Sequence, residues 1–212
     1  DVFKSPEILK ILVKDGRLGQ KTKAGFYKKN EDRTIYSVDF KTGKYSPQEK
    51  VRFDCFRIAK DRQKLDDKLK ALCYGDDRGS KYFWEITAKT LIYCANRIPE
   101  ISDDIVNIDN AIKWGFGWEL GPFESWDAIG VQASVDRMQS EGRKVPQWVL
   151  DMLAAGRDAF YKTENGVKTY YDVISGAAKP VTSSKKEINL NLQKSAGNLV
   201  HRDWSASLVD LG

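Results

Sequence analysis

This sequence of 212 residues has little of what imidazole or thiol chemistry needs: one histidine and three cysteines. The histidine, His201, lies in a polar stretch near the C-terminus, so a histidine base has no evident place. Cys55, Cys73 and Cys94 are far apart and form no CxxC pair, which excludes a zinc ribbon or a dithiol redox motif. Cys73 and Cys94 fall on apolar helical faces, where buried thiols sit. Such sparing cysteine usage predicts a reducing, cytoplasmic location. No run of 18 apolar residues occurs, so no membrane span is expected. The opening "DVFKSPEILK" has no long apolar stretch of the kind a secretory leader carries. It starts on Asp1 rather than Met, which raises the expectation of a fragment of a longer protein. No basic stripe with interleaved aromatics is found either. The 35 Lys and Arg are interspersed with 30 Asp and Glu, giving a net charge of +5, and no nucleic-acid partner is expected. A phosphate-bearing cofactor such as coenzyme A is compatible with that balance, though charge alone does not point to it.

What is present is enough apolar residue, 41%, to build a core, and signals that place the helices. Ser5-Pro6-Glu7 predicts a helix start. Ile8, Leu9, Leu12 and Val13 give its apolar face, and Gly16 gives its left-handed cap. "GFYKKNEDRTIYSVDF" and "KTGKY" alternate as short hairpin strands do. Ser46-Pro47-Gln48-Glu49 predicts a second helix start, leading into a charged helical segment that runs to about Tyr74. After the break "YGDDRGSK", a helix is expected from Tyr82 to Ile98. It would bury Phe83, Ile86, Thr90, Leu91, Cys94 and Ala95 and stop at Pro99. Ser102 predicts the next cap, with Ile105, Ile108 and Ile112 inward and Gly115 ending the helix. A further helix is expected over Glu124–Glu141, bent near Gly130.

Two segments repeat. Pro6 and Pro146 each stand ten residues before a glycine, Gly16 and Gly156, and each glycine precedes an arginine, Arg17 and Arg157. Each segment then reaches Phe-Tyr-Lys, at Phe26 and at Phe160. The step from Gly16 to Gly156 is longer than that from Phe26 to Phe160, because the second copy lacks most of the glycine-rich loop. The second segment is preceded by several helices and the first by none, so the first copy is expected to be incomplete. Residues 175–212 are rich in Ser, Lys, Asn and Gly and read as a linker.

"GRLGQKTKAGFYKK" is no phosphate loop, because a helix precedes it and strands follow, the reverse of what GxxxxGK[ST] requires. "KWGFGWELGPFESWDAIG" has two readings. It is a tight helix–helix connection packed by aromatics, or a wall of a groove for an acyl chain. Its GxG follows a helix and so is not a dinucleotide fingerprint.

With Asp109, Ala111, Gly115, Gly117, Gly121-Pro122-Phe123, Asp127 and Gly130, the stretch from Asp109 to Gly130 resembles the C-terminal helical domain of 3-hydroxyacyl-CoA dehydrogenases. Gly16, Leu18-Gly19, Lys21-Thr22 and Gly25-Phe26-Tyr27 are similar to the end of that same domain. "SASLVDLG" resembles the lead-in to an enoyl-CoA hydratase module. The resemblance implies a mainly α fold of the 6-phosphogluconate-dehydrogenase C-terminal type, in tandem copies with short β-hairpins. It implies a first copy ending within residues 1–45, an inter-repeat helical segment 46–80, a second copy 81–174 and the linker 175–212. It implies that Gly115, Gly117, Gly121, Pro122, Phe123, Asp127, Lys21, Gly25 and Phe26 form a substrate groove or a structural motif. No catalytic, cofactor-binding or metal-ligating residue is expected in this chain.

In the family a Rossmann domain precedes, binds NAD and carries a His–Glu pair. None of these is found in this sequence, so no bound cofactor is expected. The family's helical domain begins with an Asn-Arg pair whose asparagine faces substrate. Asn96-Arg97 is at the wrong spacing, and the position that should hold the asparagine falls near Trp84, which lacks an amide's paired donor and acceptor. The second copy is therefore expected to pack as a pseudo-partner rather than to form an active site. Expected partners are an acyl-CoA, the Rossmann domain, a hydratase module and a second copy in a homodimer. The competing reading is a non-catalytic helical module that joins enzyme domains.

Overall fold

The computed structural model describes residues 4–182 and 188–211. The start of the expected first segment (1–3) and parts of the expected linker (183–187 and 212) lie outside the described residues. The chain divides into two compact units, Asp1–Arg52 and Phe53–Gly212.

In the first unit, α1 spans Glu7–Lys14. Pro6, in extended conformation, precedes it as the N-cap residue. Only Ile8 and Leu12 of the expected apolar face are buried; Leu9 and Val13 are exposed. Gly16 closes the helix at φ 69°. There the Arg17 N–H donates to Leu12 O (2.8 Å) and the Gly16 N–H to Val13 O (3.0 Å), the Schellman pattern. One 3-10 turn follows at Gln20–Thr22. Then β1 (Tyr27–Lys29), β2 (Ile35–Val38) and β3 (Tyr45–Pro47) form an antiparallel meander. The core is Ile8, Leu12 and Val38 with Tyr45 packed against them. Ser46-Pro47 does not start a helix. Ser46 pairs with Ser37 and Pro47 with Tyr36 on an edge strand, where a missing N–H is tolerated.

The second unit opens with α2 (Asp54–Lys60), α3 (Leu65–Tyr74) and α4 (Arg78–Ala95). Asp77 holds two helix starts at once: its carboxylate accepts from the Ser80 N–H (2.7 Å) and the Cys55 N–H (2.8 Å). These two N–H groups pull its pKa down to about 2. That cap starts α4 four residues ahead of the expected Tyr82. Trp84, Ala88, Leu91, Cys94 and Ala95 are buried at helical spacing, and Ile86 is exposed rather than buried. α3 packs on α4 and α6, and α2 on α3.

Next come α5 (Ile105–Phe116), α6 (Pro122–Ile129), α7 (Val131–Ser140) and α8 (Gln147–Ala154). The α5 cap is Asp104, which accepts from the Asn107 N–H (2.8 Å), and not Ser102. Its end is Gly117 at φ 68°, with Gly115 inside the last turn. The expected bend falls at Gly130, φ 92°, between α6 and α7. Gly156 ends α8 at φ 79°. A second antiparallel meander follows: β4 (Tyr161–Glu164), β5 (Val167–Asp172) and β6 (Ala177–Pro180). The expected linker contains β6, α9 (Leu190–Ser195) and a hairpin of β7 (Leu199–Arg202) with β8 (Ser207–Val209). The core of this unit is built on Phe123, Trp126, Met138, Met152 and Phe160. The protein is thus helix-rich, with small antiparallel sheets.

Candidate functional site

The inward face of α5 carries a carboxylate, Asp109, that is only 1% exposed. Burying it is costly unless donors meet it. Three do: the Phe123 N–H (2.8 Å), the Glu124 N–H (3.1 Å) and the Tyr161 hydroxyl (2.8 Å). The two N–H groups belong to the first turn of α6, where helix geometry leaves donors unpaired and favours negative charge. Gly121 permits this approach. A Cβ there would lie 2.3 Å from Asp109 Cβ and 2.5 Å from its Cα. Pro122 fills the first helical position, where its missing N–H costs nothing. Glu124 reaches back to accept from the Gly121 N–H (3.1 Å) and pairs with Lys113 (2.9 Å) and Lys168 (2.8 Å).

One turn further along α6, Asp127 accepts from the Phe160 N–H (2.7 Å) and the Tyr161 N–H (2.8 Å) at the entrance to β4. Tyr161 is therefore held at both its backbone and its hydroxyl. Phe123 and Phe160 meet edge to face at 5.1 Å between ring centres, and Trp126 stands 5.2 Å from Phe160. The Gly-Pro-Phe turn and the Phe-Tyr strand entrance are thus one network of two carboxylates and a packed aromatic cluster.

The charges respond to that setting. Burial pushes Asp109 up to about 7 against the bonds from Phe123 and Tyr161. Burial likewise pushes Asp127 up to about 7, with the neighbouring Asp109 charge adding to it. Burial also works against Glu124, but Lys168, the Gly121 N–H and Lys113 together hold it below the ordinary range. Tyr161 is raised by burial and by the Asp109 charge.

Of the nine residues expected to form a groove or a motif, Gly121, Pro122, Phe123 and Asp127 come together here. Gly115, in the last turn of α5, and Gly117, which caps it, both have open space where a Cβ would stand. Trp114, Phe116 and Trp118 beside them are 80%, 75% and 51% exposed, so the connection is only partly packed by its aromatics. Lys21, Gly25 and Phe26 belong to the first unit. Lys21 is exposed in the 3-10 turn, and a Cβ on Gly25 would lie 2.7 Å from Gly19 Cα. Asn96 is a helix-end residue whose side chain donates to Ile92 O (2.9 Å). Trp84 is buried and donates to Glu141 at 2.8 Å. His201 is exposed in β7, and no group of metal-ligating side chains occurs among the described residues.

Comparison with known proteins agrees with the motifs. The chain is 42% identical over all 212 residues to a probable 3-hydroxyacyl-CoA dehydrogenase of Bacillus subtilis, matching 100% of this chain and 26% of that protein. The chain resembles the 3-hydroxyacyl-CoA dehydrogenases along its whole length. It is also 26% identical over 126 residues to a putative fatty acid oxidation complex trifunctional enzyme of Rickettsia felis, covering 58% of this chain and 16% of that protein. The Rickettsia prowazekii protein of the same description is 23% identical over 126 residues, covering 58% of this chain and 16% of that protein. The chain spans about a quarter of the length of the first of these relatives. No protein-family model matches it, and no solved structure matches it.

Within this dehydrogenase-like chain, the sequence motif includes Asp109 but does not by itself place it at a site. Tyr161 enters the sequence reading only as a repeat marker. A lone acid on an otherwise apolar helix face, followed twelve residues later by Gly-Pro, is the signal that marks such a cap.

Proposed function

We propose that this chain is a helical C-terminal portion of an NAD-dependent 3-hydroxyacyl-CoA dehydrogenase of fatty acid oxidation. The whole-length identity of 42% to a probable enzyme of that description carries the reading. The reaction of the complete enzyme would be oxidation of a 3-hydroxyacyl-CoA to a 3-oxoacyl-CoA, with hydride passing to NAD. The residues described here do not fit NAD. A dinucleotide site needs a glycine-rich turn between a strand and a helix, and the glycine-rich turns of this chain follow helices. The cofactor and the catalytic base are therefore assigned to chain beyond the matched quarter.

The two Pro-to-Tyr segments are read as tandem copies of one module. Their support is bond for bond. Leu9 N–H to Pro6 O and Val149 N–H to Pro146 O are both 3.0 Å, and Arg157 N–H to Met152 O (3.1 Å) repeats the cap at Gly16. Each segment then enters a three-stranded meander of the same order. The second copy has a structural role, since buried Trp84 stands where an amide facing substrate would be needed. The exposed aromatics at the end of α5 and in the turn after it, Trp114, Phe116 and Trp118, are assigned to a wall of the acyl-CoA groove, and the helical faces to packing within the enzyme.

The test is reduction of acetoacetyl-CoA by NADH. We expect no turnover from the 212-residue chain and turnover from the longest product of its gene. Activity in the short chain would place the base and cofactor here and sink the assignment. Inactivity of the long product would favour a non-catalytic helical module.

A further inference from the structure

Asn165-Gly166 is the tip of the hairpin that joins β4 to β5. Glu164 pairs with Val167, which leaves these two residues as the loop. Both have left-handed backbone, φ 49° at Asn165 and 76° at Gly166, the conformation that selects Asn-Gly for a two-residue turn. The sequence contains no other Asn-Gly pair. Asn165 is exposed. Among the described residues, nothing bonds to its amide side chain, and the Gly166 N–H donates to no acceptor. The ladder bonds of such a loop belong to its flanking pair.

Asn198 is the contrast within the same unit. It is exposed too, but its side-chain N–H donates to Gln193 Oε1 (2.6 Å) and its backbone N–H to Gln193 O (3.1 Å). The next residue is Leu199, in β7, whose side chain screens the backbone nitrogen that a glycine leaves open.

The tip at Asn165-Gly166 is also a point of contact. A Cβ on Gly166 would lie 2.6 Å from Ala196 Cβ and 3.4 Å from Leu192 O, so the main chain of the turn runs against the C-terminal end of α9. In turn, α9 packs on β4 and on both strands of the β7–β8 hairpin.

We propose that Asn165-Gly166 is a self-modification site, where deamidation converts Asn165 to isoaspartate and loosens α9 from the β4–β5 hairpin. The Gly166 nitrogen attacks Asn165 Cγ and a C–N bond closes a cyclic imide. The Gly166 proton passes through solvent to the side-chain nitrogen, whose bond to Cγ breaks, and ammonia leaves. Water then opens the ring at either carbonyl. Opening at the backbone carbonyl gives isoaspartate, whose main chain runs through the former side chain and is longer by a methylene. Opening at the other gives aspartate. Water is the only reagent, and no electron changes hands. Isoaspartate adds a carboxylate beside Glu164, and its longer main chain no longer fits the space against Ala196.

The test is ageing of the 212-residue chain in warm, mildly alkaline buffer, followed by peptide mass mapping and hydrogen–deuterium exchange. The peptide holding Asn165 should gain the amide-to-acid mass difference about tenfold or more faster than the peptide holding Asn198. Fragmentation of the converted peptide should show isoaspartate. As conversion proceeds, amides of α9 should exchange about tenfold or more faster, while those of α4 and α6 keep their protection. Asn165→Gln, whose longer side chain disfavours the ring closure, should keep α9 unchanged over the same period. Equal conversion of Asn165 and Asn198, or conversion to aspartate alone, would overturn the site. Conversion without faster exchange in α9, or equal loosening of α9 in Asn165→Gln, would overturn its link to α9.

Discussion

Gly121 and Gly115 are both motif glycines, yet opposite outcomes are expected when each becomes alanine. At Gly121 the new methyl would lie 2.3 Å from Asp109 Cβ, and relief requires α5 to part from α6. That would disturb three hydrogen bonds to a buried carboxylate, so Gly121→Ala should cost about 3 kcal/mol or more. At Gly115, inside the last turn of α5, nothing lies within 4 Å, so Gly115→Ala should stabilise by about 0.5–1 kcal/mol. Urea midpoints read both, and equal effects would refute the close-approach argument. The carboxylates give a pH signature. Asp109 and Asp127 are raised to about 7, above their ordinary value of 3.8. Between those values the folded chain keeps protons that the unfolded chain has lost. Their contribution to stability is therefore full below about pH 4, falls as pH rises, and levels off above about pH 7. Glu85, pulled down to about 2 by Arg143 and Lys89, works in the opposite sense and only at lower pH. Asp127→Asn removes one titrating group, so its penalty should be smaller at about pH 8 than at about pH 5. A penalty that grows with pH would show that the carboxylate form is the one the fold favours.

At the scale of elements, local chemistry was legible where it decided the outcome alone. The caps at Gly16 and Gly156 and the bend at Gly130 fall where left-handed backbone requires glycine. Local signals failed where a partner distant in sequence prevailed. Ser46-Pro47 has helix-start chemistry but is held in β3 by pairing with Ser37 and Tyr36. Of three acceptors ahead of α5, Ser102, Asp103 and Asp104, only the position that reaches the Asn107 N–H could be the cap, and spacing alone did not choose it. Gly115 and Gly117 competed to end the same helix, and the left-handed position went to the second. The aromatic run around them was ambiguous because a large ring can pack or lie in solvent. Phe123 and Trp126 are fully buried, while Trp114 and Phe116 are not. The Asp109–Tyr161 bond joins residues 52 apart, a relation no periodicity encodes.

At the scale of the molecule, the two units differ in the core that sustains each. The first closes on Ile8, Leu12 and Val38, with Leu18, Phe26, Tyr27 and Phe40 left exposed. So small a unit buries a low fraction of its surface and is marginal by itself. The second encloses a continuous cluster from Cys73 to Tyr171. The sequence supplies a selective probe, since all six tryptophans, Trp84 to Trp204, lie in the second unit. Tryptophan fluorescence therefore follows the second unit, whereas far-ultraviolet circular dichroism follows both. In urea the dichroism should begin to fall before the fluorescence moves, and amides of α1 and β1–β3 should exchange at denaturant concentrations that leave α4 and α6 protected. Coincident curves, with equal protection in α1 and α6, would mean that the 212-residue chain unfolds as a single cooperative body. They would remove the argument that the first unit's exposed rings weaken it.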